Sequence, residues 1–253
     1  MGVQPSVLSP TTRAKALDEM AAGEVDVLVI GAGVVGAGAA LDAASRGLSV
    51  ALVEARDLAA GTSSRSSKLV HGGLRYLKQL NFSLVFEALR ERSLILKTLC
   101  PHLARPVEFI YPLERKGIDR GYVGLGVGVY DVLGAGKGVP SHHKHLSKTK
   151  TLEMFPDGKK GHIQGAIKFY EGQLDDARHT MMIARTAAAY GALVATSARV
   201  TDLTRQGDRV VGATVRDLET GRDIQVRART VVNATGVWTD DIQQMIGGKG
   251  GFR

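Results

Sequence analysis

The stretch Asp26–Glu54, DVLVIGAGVVGAGAALDAASRGLSVALVE, constrains this chain more than any other. Val25–Ile30 is an apolar, β-branched run of the kind that forms a buried parallel strand. Gly31-Ala32-Gly33-Val34-Val35-Gly36 follows directly and gives the G-x-G-x-x-G pattern. In that pattern Gly31 makes the tight turn, Gly33 lets the backbone approach a pyrophosphate, and Gly36 lets a helix pack close on the strand. An alanine-rich helix from Val34 to about Ser45 then points its free N–H groups at the phosphates. Arg46-Gly47 stops it, and Leu48–Val53 reads as the second strand. Glu54 closes the unit with a carboxylate that can accept both hydroxyls of an adenosine ribose. That favours FAD or NAD and disfavours a 2′-phosphate. A glycine-rich turn without a ligand is the competing reading, but it does not account for strand, glycines, helix, second strand and terminal Glu in one short unit.

The loop behind this unit is equally specific. Thr62, Ser63, Ser66 and Ser67, with Arg65 and Lys68, supply many donors for phosphate oxygens. His71-Gly72-Gly73 lets backbone press against a flat ring system, because glycines put no Cβ in the way. A serine-rich flexible loop is the plainer reading, yet such loops seldom run straight into Leu69-Val70-His71-Gly72-Gly73-Leu74-Arg75-Tyr76.

From Gly31 through Leu77 the sequence closely resembles the FAD-dependent, quinone-linked glycerol-3-phosphate dehydrogenases; the resemblance continues through Arg178 and returns at Val231–Trp238, so it covers most of the chain from Val25 onward. Ala32 stands where that family usually has a third consecutive glycine. The resemblance implies an α/β fold: an FAD-binding, Rossmann-like parallel sheet with a mainly helical insertion at about 82–160 and a β-meander at about 197–228. It also implies oxidation of sn-glycerol 3-phosphate to dihydroxyacetone phosphate, with electrons passed to a quinone. FAD is the implied cofactor. Arg75 and Tyr76 belong to the substrate phosphate site, a role that suits a bidentate guanidinium and a directional phenol. Ala234, Thr235 and Gly236 rest against the flavin nucleotide. His71 is the candidate base for the C2 hydroxyl proton, on its nearness in sequence to the flavin-facing glycines. Family members continue for roughly as many residues again. The expectation is therefore a single FAD-binding domain over 25–253, incomplete at its C-terminus, that is inactive alone and a homodimer when full length. A glycerol-3-phosphate oxidase that uses oxygen and a non-catalytic dinucleotide-binding fragment are the alternatives.

Composition narrows the partners. With 33 Lys+Arg against 25 Asp+Glu the net charge is +8, which suits an anionic substrate or an acidic lipid surface. Nucleic acid is disfavoured, since aromatics are 5% and no run interleaves them with basic residues. Cys100 is the single cysteine, so an internal disulfide is impossible and a reducing compartment is expected. Met1–Glu24 lacks the apolar stretch of a signal peptide. No segment reaches membrane-span length. The expected location is cytoplasmic, with peripheral contact at the inner face of the cell membrane.

The remaining elements follow from periodicity. Met1–Glu24, with Pro5 and Pro10, reads as a flexible lead-in with helical tendency at Arg13–Ala21. Phe82–Cys100 reads as a helix that buries Phe82, Val85, Phe86, Leu89, Ser93 and Leu96 and solvates Glu87, Arg90, Glu91 and Lys97. Val107–Leu113 and Ile163–Tyr170 read as strands. Ile118–Leu133 reads as a helix with Tyr122, Leu125, Val129 and Leu133 on one side, and Gly134–Ser147 as a loop. Its His142, His143 and His145 suggest a metal, but no cysteine or nearby carboxylate completes a shell, so none is expected. Asp175 and Asp176 open a helix, where carboxylates complement the dipole. Strands are expected at Leu193–Ala195, Ala198–Arg205, Arg209–Asp217, Asp223–Val226 and Thr230–Val232.

Overall fold

A computed structural model describes residues 7–71, 81–115, 117, 121, 123–129, 143–158 and 161–247. The chain divides into two compact units, Met1–Ser66 with Asp176–Arg253, and Ser67–Asp175.

The first unit is built on β1 (Glu24–Ile30), α2 (Val34–Ser45) and β2 (Val50–Val53), preceded by α1 (Pro10–Ala22). The return segment adds α6 (Asp176–Ala189), β7 (Leu193–Ala195), β8 (Ala198–Gln206), β9 (Arg209–Asp217), β10 (Asp223–Asn233) and α7 (Thr239–Gln244). The six strands run in the order β7-β2-β1-β10-β9-β8. The β7, β2, β1 and β10 pairings are parallel, and β10, β9 and β8 form the antiparallel meander.

Alternation along the central strands feeds two separate cores. Leu28, Ile30, Ala51 and Val53 face α1 and the meander, with Leu17 and Met20 of α1 and Val215 and Val226 of the meander. Val29, Val50 and Leu52 face the helices, where Ala37, Ala40 and Ala44 of α2 meet Ala184 and Ala187 of α6. Alanine on both helices allows that close approach.

Two expectations for this unit are corrected. The lead-in, read as flexible with helical tendency at Arg13–Ala21, is a helix over Pro10–Ala22. Ser9 caps a 13-residue helix by accepting from Thr12 N–H, Thr12 returns the bond to the Ser9 backbone, and Pro10 occupies the first turn. The helix buries Ala16, Leu17 and Met20. The segments Asp223–Val226 and Thr230–Val232 are one strand of 11 residues, β10. Its first half pairs with β9 and its second half lies beside β1, with Val27 opposite Thr230 and Ile30 opposite Asn233.

The second unit is a four-stranded antiparallel sheet. β6 (Gly165–Leu174) pairs along its length with β4 (Ala104–Leu113) and, on its other side, with β3 (Leu69–Val70) and β5 (Lys144–Ser147). Helix α3 (Phe82–Leu94) runs on into a wider turn, Ile95–Leu99, before Pro101. Residues 123–129 form α4, and α5 is Lys148–Met154.

Here too the structure differs from the sequence reading. Between residues 82 and 160 the described residues hold the helices α3, α4 and α5 with strands β4 and β5, and the sheet's frame is β4 with β6, which follows at Gly165–Leu174. Lys144–Ser147 is a strand and not loop. Val85 and Leu89 of α3 and Leu96 of the wider turn are buried as expected, whereas Phe82 and Phe86 are about half exposed. Arg92, which the apolar pattern passes over, is buried instead and donates to the buried Glu171 carboxylate of β6 at 2.7 Å. On α4 it is Val127 that is buried and Leu125 that is exposed. Tyr122 and Leu133 lie outside the described residues.

Candidate nucleotide-binding site

β1 ends in a turn that Gly31 makes possible with φ of 100°. The Gly31 N–H donates to the Val53 carbonyl at 2.8 Å, and Ala234 N–H donates to the Ile30 carbonyl at 2.9 Å. The turn is thereby held between the ends of β2 and β10. A methyl on Gly36 would stand 1.8 Å from the Gly31 carbonyl oxygen, so helix and strand meet here at glycine distance. Gly33 is the N-cap of α2, with extended backbone and no side-chain cap. A Cβ there would lie 3.1 Å from Ser63 Oγ, and that hydroxyl accepts from the Val34 N–H at 2.9 Å. The short helical turn Thr62–Ser64 carries this hydroxyl to the helix start.

Glu54 is the second fixed point. Its Oε2 accepts from Ala32 N–H at 2.8 Å and its Oε1 from Arg56 N–H at 2.9 Å. The carboxylate thus ties the glycine turn to the turn after β2. An ionised carboxylate offers roughly four acceptor positions, so two remain for hydroxyl donors.

The third part is the exit from β10. Asn233 Oδ1 accepts from both the N–H and the hydroxyl of Thr235, at 3.2 and 2.7 Å, and its amide nitrogen donates to the Thr239 carbonyl. This local network shapes the Ala234-Thr235-Gly236 turn, whose Ala234 carbonyl would lie 2.8 Å from a Cβ on Gly31. Gly236 takes φ of 59°.

The structure therefore brings Gly31, Gly33, Gly36, Glu54, Ser63, Ala234 and Thr235 to one end of the parallel strands. Ser66 is engaged elsewhere: its N–H and hydroxyl both donate to Asp176 Oδ2, at 3.2 and 2.7 Å. Asp176, whose Oδ1 accepts from Ala177 N–H, thus does more than complement the α6 dipole. Thr62 and Ser67 are exposed. His71 is exposed at the end of β3, while Gly72, Gly73, Arg75 and Tyr76 lie outside the described residues. Residues missed from sequence include Asn233, whose signal was the Asn-x-Thr spacing of a side-chain-closed turn. Arg56 and Trp238 were missed as well; the guanidinium lies 4.9 Å from the ring centroid, a contact between distant segments that no local pattern announces.

The profile of the FAD-dependent oxidoreductase family matches residues 26–251. The chain belongs to that family. It is 54% identical over 248 residues to a glycerol-3-phosphate dehydrogenase of Mycobacterium leprae, a match that covers 98% of this chain and 42% of the relative. The human mitochondrial glycerol-3-phosphate dehydrogenase is 41% identical over 249 residues, covering 93% of this chain and 34% of that protein. Among solved structures, the glycerol-3-phosphate dehydrogenase of Bacillus halodurans complexed with FAD superposes with a TM-score of 0.70 at 31% identity, over 92% of this chain and 38% of that one. The chain thus spans about two-fifths of the length of these relatives. FAD is the family's cofactor, and the residues present fit its ADP half: a bare backbone at Gly33, a helix N-terminus behind it, and a carboxylate at the end of β2.

Proposed function

We propose that this chain carries the nucleotide-binding part of an enzyme that oxidises sn-glycerol 3-phosphate at C2 to dihydroxyacetone phosphate and passes the electrons to a quinone. The observation that carries the reading is the Gly31–Glu54 cradle, in a chain 54% identical to a glycerol-3-phosphate dehydrogenase over nearly its whole length.

FAD supplies the two-electron acceptor for hydride from C2. The protein's own residues bind and orient. Gly33 leaves room for the pyrophosphate beside the α2 N-terminus, with Ser63 as a further hydrogen-bonding group. Glu54 receives the ribose hydroxyls while its existing bonds to Ala32 and Arg56 keep the carboxylate aimed. Arg75 and Tyr76 hold the substrate phosphate, the first by a planar, permanently charged fork and the second by one phenolic donor. His71 takes the proton of the C2 hydroxyl. Contact with the membrane is peripheral and charge-assisted, at the cytoplasmic face.

The test is a chimera in which the matched stretch of the M. leprae relative is replaced by this chain. Glycerol-3-phosphate-dependent reduction of a quinone analogue is expected, with slow flavin reoxidation in air alone. Fast reoxidation by oxygen without quinone assigns an oxidase instead, and no turnover with glycerol 3-phosphate overturns the substrate. Within the same chimera, Arg75→Lys keeps the charge and loses the fork. KM for glycerol 3-phosphate should rise about tenfold or more, with far less effect on oxidation of unphosphorylated glycerol. Equal loss on both substrates removes Arg75 from the phosphate site.

A further inference from the structure

The turn behind Glu54 carries a contact that the glycine cradle itself does not need. The Arg56 guanidinium lies over the Trp238 indole, 4.9 Å from the ring centroid. Gly61 makes space for the indole, since a Cβ there would stand 3.0 Å from Trp238 Cζ3. The Arg56 main chain is fixed on both sides: its N–H donates to Glu54 Oε1 at 2.9 Å and its carbonyl accepts from Ser197 N–H at 2.9 Å. Arg56 as a whole is nevertheless exposed. A guanidinium is planar and stacks on aromatic faces. Trp238 lies on one side of the guanidinium, and the residue as a whole is open to solvent.

We propose that Arg56 is an adenine-binding residue, its guanidinium backed by Trp238 and its outer face stacked on the base of the adenine nucleotide whose ribose Glu54 receives. The inference rests on the reading of Gly31–Glu54 as the ADP cradle and extends it by one group. The base is joined directly to the ribose, and the residues that follow the ribose-binding carboxylate are the nearest in the chain to offer it a surface. Those residues are Ala55 and Arg56, and only Arg56 has a flat π-surface. Arginine planes are regular stacking partners for bases. The tether from Arg56 N–H to Glu54 ties the stacking group and the ribose group into one turn, so both are set by the same backbone.

Trp238 is the single tryptophan of the chain, so tryptophan emission reports on the surroundings of this one residue. The 253-residue chain is titrated with ADP, which has the adenosine half without the flavin, and with FMN, which has the flavin without adenosine. ADP is expected to change Trp238 emission saturably and FMN to leave it unchanged at equal concentration. By calorimetry, Arg56→Ala should weaken ADP binding about tenfold. Arg56→Lys should weaken it nearly as much, because the ammonium keeps its place over the indole but lacks the plane, while its thermal midpoint stays at the wild-type value. Unchanged ADP affinity in both variants, or full rescue by lysine, overturns the stacking role. If Gly33→Val abolishes ADP binding while both Arg56 variants bind normally, the cradle stands and only Arg56 is misassigned. If neither FAD nor ADP binds the wild-type chain, the cradle reading fails and this inference falls with it.

Discussion

Gly36 and Gly38 sit two residues apart on α2 and differ sharply in what a methyl group would meet. At Gly36 it would overlap the Gly31 carbonyl oxygen at 1.8 Å and press on Ala234 Cβ at 3.2 Å; at Gly38 nothing stands within 4 Å. Backbone cannot retreat as a side chain can, so Gly36→Ala should destabilise the chain by about 3 kcal/mol, the upper part of the overpacking range. Gly38→Ala should stabilise it by about 0.5–1 kcal/mol, through the helix preference and lower unfolded-state entropy of alanine. Urea midpoints of the two variants check both signs, and a Gly36→Ala protein of wild-type stability would remove close strand–helix contact as the reason for that glycine. The glycine spacing was legible because each position is a local steric demand. The role of Ser63 was only half legible. Its hydroxyl was visible as a phosphate donor, but its place on the Val34 N–H depends on how the Thr62–Ser64 turn folds back.

At the scale of elements, what sequence could show was the start of α1, and what it could not show was the helix's destination. Ser9, Pro10 and Thr12 mark an N-terminus. The packing partners are far along the chain: Arg13 donates to the carbonyls of Thr196 and Ser197 and pairs with the buried Asp217. β10 was split for a related reason. Arg227 and Arg229 look like a break in an apolar run, yet Ile224, Val226 and Ala228 keep the period of two, and Arg229 reaches Glu24 and Asp26 on β1. The Arg13–Asp217 tether makes a pH prediction. Burial alone would raise the Asp217 carboxyl. Bonds from Arg13, the Thr220 hydroxyl and the Glu219 N–H, together with the Arg13 charge, outweigh it and hold the pKa at about 2. A folded-state pKa below the unfolded 3.8 stabilises the fold above about pH 4, and the contribution is lost as pH falls through about 2. Its size is on the order of 2 kcal/mol. Asp217→Asn should therefore lower stability at pH 6 and flatten the stability loss between pH 4 and pH 2. An unaltered acid slope in chemical denaturation would place the acid sensitivity in other carboxylates.

The whole molecule is a parallel-sheet unit interrupted by a second unit, since Met1–Ser66 and Asp176–Arg253 enclose Ser67–Asp175. The parallel unit was readable because its strands are apolar and its turns carry glycine. Of the inserted sheet, β4 and β6 were readable as Val107–Leu113 and Ile163–Tyr170, but β5 was not, because Lys144-His145-Leu146-Ser147 owes its strand form to pairing with Gly165–Lys168 of β6 and not to its own propensity. The net charge of +8 belongs to this scale as well. Among the described residues no helix is long and apolar enough to cross a membrane, and the lipid contact proposed above rests on surface charge. Each basic side chain near an anionic surface contributes about 1 kcal/mol at low salt. Screening shortens that reach from about 10 Å at 0.1 M to about 3 Å at 1 M. Co-sedimentation with vesicles containing phosphatidylserine or phosphatidylglycerol should accordingly be strong at low salt, fall steeply toward 1 M, and vanish with neutral phosphatidylcholine. Binding that ignores both lipid charge and salt would point to apolar insertion, for which the half-exposed Phe82 and Phe86 of α3 are the residues to replace first. No binding at any salt would leave the positive charge to the phosphate of the substrate and the pyrophosphate of the cofactor.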